Sequence, residues 1–473
     1  MSTTSTATAP SASGDGSALT ETTITHRPGN WIDGWNAEDE TFWAKTGKKI
    51  AQRNLVWSIF AEFLGFVIWQ LWSIVVVQLP AAGFKFDISQ TFWLISMPAL
   101  VGATLRLPYT FLVPKFGGRN WTMISAALLL IPAIALGFAV GNPETPFGVM
   151  LFVAALAGFG GGNFASSMSN INFFYPQREK GVALGLNAAG GNLGVSVAQI
   201  LVPIVITVGA IGSTINLSLA GWFWIPFILL AIFGAYKYMN NLSNAKADFA
   251  ASAAAFKEPH TWIMAILYIG TFGSFIGFAG VFPKVIATQF PEFSTFSVGA
   301  AAISLAFLGA LCGSIARPFG GKLADRFGGA KVTVAAFSAM ALGAIAVINV
   351  LPLNNFWLFL LIFMGIFAAT GIGNGSTYRM IPSIFAARSG VTDAHNNSGD
   401  ISTVRKTSAA IGIISAVGAY GGFIIPQLLG ASLAQTGSYA NAIWGFVAAY
   451  VVFIGITVFF YIRRGAGTTG QRI

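Results

Sequence analysis

Charge is scarce in this chain. Only 9% of its 473 residues are Asp, Glu, Lys or Arg, while 55% are hydrophobic. A soluble domain carries about 25% charged residues, so no water-soluble fold hides this much apolar surface and the solvent is a bilayer. Cysteine is scarcer still: the single Cys312 excludes an internal disulfide and sits in an apolar run, where it reads as packing. With three histidines, of which His260 falls at a span end, there is no His/Cys cluster to hold a metal. No nucleophile–base constellation marks an enzyme, and no cofactor is expected. A basic-then-apolar leader is missing too, because the residues up to about Ile24 are rich in Ser and Thr, so no cleaved signal is expected.

What is present is a series of long apolar runs. At about 20 residues per helical span, twelve are predicted: 54–79, 91–114, 120–140, 147–174, 181–208, 219–239, 259–287, 297–321, 330–350, 356–385, 408–433 and 438–462. Residues 1–30 read as a disordered cytoplasmic tail, 31–53 as an amphipathic surface segment, and 54–239 as a six-helix bundle. Residues 240–258 form a cytoplasmic linker, 259–464 a second six-helix bundle, and 465–473 a C-terminal tail. Of the 26 Lys and Arg, 21 fall in the terminal segments and alternate loops, three within spans, and two (Lys85 and Lys284) on the other side. Lys and Arg concentrate in cytoplasmic loops, which places both termini in the cytoplasm. The net charge of +10 is therefore topological, and nucleic acid is excluded as a partner.

The two halves repeat at an offset of 211 residues. Arg106 with Gly117 and Gly118 falls on Arg317 with Gly328 and Gly329. Gly160, Gly162 and Asn163 fall on Gly371, Gly373 and Asn374. The fold class is thus an all-α membrane protein of two related six-helix halves, the parallel-repeat architecture of major-facilitator carriers.

Four ionisable residues fall deep in spans: Glu62, Arg106, Arg317 and Arg379. Each stands about nine residues from a basic marker (Arg53, Lys115, Arg326, Arg388). Nine residues rise about 13–14 Å, near half of a ~30 Å hydrocarbon core, so all four are predicted at the midplane. Snorkelling suits helix ends, not centres. Guanidinium keeps its proton, so one acid leaves two of the three cations uncompensated. An unpaired buried charge costs several kcal/mol, and a bound anion removes that cost. Arg106 and Arg317, one per half, are the expected clamp. A planar fork favours a small monovalent planar oxyanion.

The spans around these charges are rich in glycine: GFGGGNFASS, GLNAAGGNLGVS, GIGNGSTYR and GIISAVGAYGGF. Small residues let helices approach and slide. Asn163, Asn192 and Asn374 offer neutral amides there.

GGGNFASSMSNINFFYPQREKG and GIGNGSTYRMIPSIF resemble the paired signature motifs of the NarK-type nitrate/nitrite porters. GGKLADRFGGAK is similar to the major-facilitator loop signature, with a degraded copy in VPKFGGRNW, and the likeness runs from about Trp35 to Arg464. The resemblance implies a twelve-helix carrier of nitrate or nitrite, and a monomer is expected. It implies an anion held by Arg106 and Arg317, with Asn192 and Tyr268 alongside and Phe164 and Phe272 above and below it. Either Gly418 or Gly421 would match the glycine implicated in span 11. Glu62 and Arg379 depart from the exchanger branch and are similar to the proton-symport branch. Electrically driven entry of an anion calls for at least two protons, and Glu62 accounts for one. Burial and Arg379 are expected to compete for control of that proton. The alternatives are nitrate/nitrite antiport and, from another class, a nitrate sensor that does not translocate.

Overall fold

A computed structural model describes residues 23–210, 214–245, 249–388 and 401–463. Eleven of its helices are long and apolar enough to cross a membrane. They are α1 (Glu40–Gln78), α2 (Ile88–Phe116), α3 (Gly118–Ala139), α4 (Phe147–Phe174), α5 (Gln177–Val208), α6 (Leu219–Tyr238), α7 (Pro259–Gln289), α9 (Gly329–Leu353), α10 (Phe356–Ala387), α11 (Lys406–Thr436) and α12 (Ala440–Arg463). The twelfth is α8 (Phe307–Phe327), whose 21 residues are long enough but carry Arg317, Lys322, Asp325 and Arg326. Twelve crossings return the chain to the face where it started, called here the tail face.

Local sequence sets the helix ends. Asp87 accepts from the Gln90 amide (2.7 Å) and Gln90 answers by accepting from the Asp87 amide (3.1 Å), a reciprocal cap that starts α2. Its far end stops at Gly117, and α8 stops at Gly328. Both glycines have positive φ (88° and 95°), a conformation side chains resist, so the 211-residue repeat recurs as backbone geometry.

One predicted span is corrected, and two segments gain detail that the sequence did not show. The predicted eighth span, 297–321, gives up its first turns to a hairpin: strand β4 (Phe296–Val298) pairs antiparallel with β5 (Ala301–Ile303) around Gly299. A short apolar run suits strand and helix alike, and the glycine decides it. The segment 31–53 is amphipathic, with Glu38, Lys45 and Lys49 exposed, and its apolar side packs on protein. Strands β1 (Thr25–Arg27), β2 (Trp31–Asp33) and β3 (Asn241–Leu242) form a small sheet, antiparallel between β1 and β2 and parallel between β2 and β3. Ile32, Trp35, Phe42 and Trp43 bury there with Phe174, Tyr175 and Leu242 in a second core at the tail face. The linker 240–258 is accordingly ordered at its start, and it also holds a short helix, Phe249–Lys257. Of the expected tail 1–30, residues 1–22 lie outside the described residues, as does 465–473.

The halves meet mainly at the face opposite the tails. Gln199 donates to the Ala279 carbonyl (2.7 Å) and Gln427 to the Ser96 hydroxyl (2.6 Å). Ser196 donates to the Phe307 carbonyl (3.1 Å). About three and four turns nearer the tails along α5 from Ser196, Gly185 and Gly181 have nothing within 4 Å of where a Cβ would stand. Along α5 the halves close on one side and part toward the other, while α2 and α11 still approach one turn tailward of Arg106, where a Cβ on Gly412 would lie 3.5 Å from Thr110.

Candidate functional site

Small residues bring α2 against α4. A Cβ on Gly102 would lie 3.0 Å from the Gly161 Cα, and this approach lets Arg106 Nε donate to the Gly161 carbonyl (3.1 Å). Arg106 Nη1 reaches across the halves to the Ser415 carbonyl of α11 (3.0 Å). Its Nη2 is buried without a hydrogen-bond partner. The same logic serves α8 and α10: a Cβ on Gly375 would stand 2.1 Å from the Arg317 carbonyl. Arg317 is 5% exposed, and its Nη1 likewise has no partner.

Both guanidiniums share one ring. Phe164 lies 4.6 Å from the Arg106 carbon and 5.8 Å from that of Arg317. Arg106 also sits over Phe272 (4.9 Å) and Trp69 (5.3 Å). Phe164 stacks on Phe272 (6.1 Å between centroids, 24° between planes) and Phe272 on Tyr268 (5.3 Å, 15°). Desolvated cation–π contacts contribute about 2 kcal/mol or more, which offsets only part of the cost of burying two cations. The Tyr268 hydroxyl faces Arg317.

The asparagines are buried with their needs unmet. Asn163, Asn192 and Asn374 each lack a partner on both side-chain polar atoms. Asn163 packs against Gly65 of α1, and Asn192 lies on the face of α5 that reaches α8 through Ser196. Buried polar groups are nearly always paired, so three asparagines unpartnered at both side-chain polar atoms are unusual.

Glu62 is fully buried one turn from Phe66, which meets Phe164 edge-on (6.2 Å). Its Oε2 accepts from Ser167 of α4 and Asn187 of α5, while Oε1 has no partner. Arg106 and Arg317 both act on it electrostatically. Arg379 does not join this group. It is half-buried and pairs through Nε with Asp325 of α8 (2.6 Å), with Nη1 on Ser383 (3.3 Å). The expected Glu62–Arg379 competition is therefore corrected: residue counting gave Arg379 a depth but not a bearing, and its bearing is toward Asp325.

Gly418 and Gly421 stand behind the site. A Cβ on Gly418 would come 2.4 Å from the Tyr268 ring, and one on Gly421 2.4 Å from the Gly273 Cα. They let α11 close on the π-helical turn Ile269–Gly273 and thereby hold Tyr268. The sequence reading missed Trp69, Tyr378, Ser167 and Asn187. Tyr378 lies 5.7 Å beneath Arg317. Its position one turn after Asn374 was the available signal, as was that of Ser167 one turn after Asn163.

Residues 59–404 match the Major Facilitator Superfamily. The chain is 42% identical over 449 residues to the nitrate/nitrite transporter NarU of Escherichia coli (strain K12), covering 91% of this chain and 96% of that one. It is 36% identical over 458 residues to the "Probable nitrate/nitrite antiporter NarK2" of Thermus thermophilus (93% and 98%). In fold it is similar to a crystal structure of a point mutant of the nucleoside transporter NupG, with TM-score 0.59 and 12% identity over 86% of this chain and all of that one. Twelve membrane helices, a duplicated arginine-and-glycine framework and this kinship agree: the chain belongs to the major facilitator superfamily and, within it, to the NarK-type nitrate/nitrite porters.

Proposed function

We propose that this chain carries nitrate, and with it nitrite, across the cytoplasmic membrane by alternating access coupled to protons, acting as a monomer with its tail face in the cytoplasm. The observation that supports it most is the charge balance around Phe164. Two guanidiniums against one ionised Glu62 leave the group at +2 − 1 = +1, and one monovalent anion brings it to zero. Arg106 and Arg317 supply the unfilled N–H groups, the three asparagines supply neutral donors, and Phe164, Phe272 and Tyr268 supply flat walls for a planar anion. A protonated Glu62 leaves +2 and holds the anion more strongly. By reciprocity a bound anion favours the proton, which is the thermodynamic basis of symport.

The test is nitrate uptake into proteoliposomes with an inward pH gradient and no internal nitrite. Uptake is expected. Silence that internal nitrite relieves would instead establish antiport, the second reading, which the 36% identity to a protein named as an antiporter favours.

A further inference from the structure

Three buried polar residues of α1 stand at four-residue intervals on one face: Asn54, Ser58 and Glu62, none more than 1% exposed. Residues i and i+4 stack along a helix, about 6 Å apart, so they form a file running from the carboxyl toward the tail face. Its inner part, from Ser58 to Glu62, is connected through Ser167 of α4. Ser58 donates to Ser167 (3.3 Å), and Ser167 donates to Glu62. Nothing in the anion site requires Ser58. It touches neither arginine, and a buried hydroxyl in an apolar helix costs stability unless it is bonded.

We infer that Ser167 and Ser58 relay the proton between Glu62 and the tail side of the membrane; this deepens, and rests on, the symport reading. In the release step the Glu62 carboxyl O–H breaks as its proton bonds to Ser167 Oγ. Ser167 passes its own hydroxyl proton to Ser58 Oγ, and Ser58 passes its proton to water. Glu62 is left as a carboxylate, both serines remain neutral, and their hydroxyls rotate back to receive the next proton. A carboxyl needs such intermediaries because Glu62 itself is sealed from water. The charged or titratable groups facing it are Arg106 of α2, Arg317 of α8 and Tyr378 of α10, and α4 and α5 offer it the neutral Ser167 and Asn187. None of the three on α2, α8 and α10 lies on the tail side of the file.

The outer end is closed in this conformation. Asn54 donates to the Asn240 side chain (3.2 Å) and accepts from the Asn240 amide (2.8 Å), and Arg53 donates to the same Asn240 oxygen (2.9 Å). Asn240 lies at the junction of the first bundle and the linker. In the proposed relay, opening of that pair admits water to Ser58, which would tie release of the proton to movement at the junction.

The experiment compares wild type, Ser58→Ala and Ser58→Thr in proteoliposomes, reading nitrate-driven proton entry with a trapped pH dye and nitrate counterflow with isotopically labelled nitrate. The expected result is a loss of at least tenfold in proton-coupled uptake for Ser58→Ala, counterflow retained, and recovery in Ser58→Thr, which restores a hydroxyl. Wild-type proton entry in Ser58→Ala overturns the relay. Equal loss of counterflow, or failure of threonine to rescue, also overturns it, because the serine then matters for packing alone. Absence of nitrate-driven proton entry in the wild type sinks the symport reading itself, a result the counterflow arm keeps separate.

Discussion

At the scale of single residues, the burden falls on two guanidinium groups. Arg106 spends Nε and Nη1 on carbonyls and keeps Nη2 unfilled. A lysine there has one compact ammonium and no fork, so it cannot hold the two carbonyls and an anion at once. Arg106→Lys and Arg317→Lys are each expected to lower nitrate transport about 100-fold, the equivalent of one or two charge-assisted hydrogen bonds. Unaltered uptake in either would refute the clamp. Glu62→Gln removes the titrating proton but keeps shape and burial. It is expected to abolish uptake driven by a pH gradient while nitrate counterflow persists, and parallel loss of both would leave Glu62 without a coupling role. The arginine pair was legible in the sequence because a cation that cannot deprotonate stands out in an apolar run. The destination of Arg379 was not, since Asp325 lies 54 residues away on another helix and helix rotation is invisible to residue counting.

At the scale of elements, glycine determines how closely helices approach. The paired ends at Gly117 and Gly328 could be read from the 211-residue offset, as could the matched close approaches at Gly160 and Gly371, where a Cβ would stand 2.1 and 2.2 Å from a facing carbonyl. What the sequence could not reveal is which glycine serves which neighbour: Gly418 is placed under Tyr268 by the packing of α11 on α7, not by any motif. Gly418→Ala would drive its methyl into the Tyr268 ring. Overpacking costs about 1–3 kcal/mol, and transport is expected to fall about tenfold with the protein still inserted, as membrane-fraction blots against uptake would show. The small sheet at the tail face was also hidden, because strands of two and three residues carry no readable period. Its core is tight: Trp35 meets Phe42 (5.1 Å) and Phe174 (5.4 Å) edge-on. Trp35→Ala should cost about 3 kcal/mol, seen as a lowered midpoint in thermal unfolding monitored by tryptophan fluorescence.

At the scale of the whole molecule, the seal opposite the tails and the gap toward them describe one stage of a rocking cycle. Gly185 sits in that gap. In a Cys312→Ser background, Gly185→Cys is expected to react quickly with a membrane-impermeant maleimide applied from the tail side, whereas Gln199→Cys, at the seal, should resist. Equal labelling of the two would contradict the closed-and-parted arrangement. The sheet at the tail face has one more consequence. The Asn241 amide donates to the Asn30 carbonyl (2.9 Å) and the Ser243 amide to that of Ile32 (3.1 Å), so the strand ahead of the first crossing is stitched to the strand behind the sixth. The leading bundle is therefore a closed ring of chain. Severing the polypeptide just past Ala245 should yield two pieces that, made together in one cell, still find each other and carry nitrate.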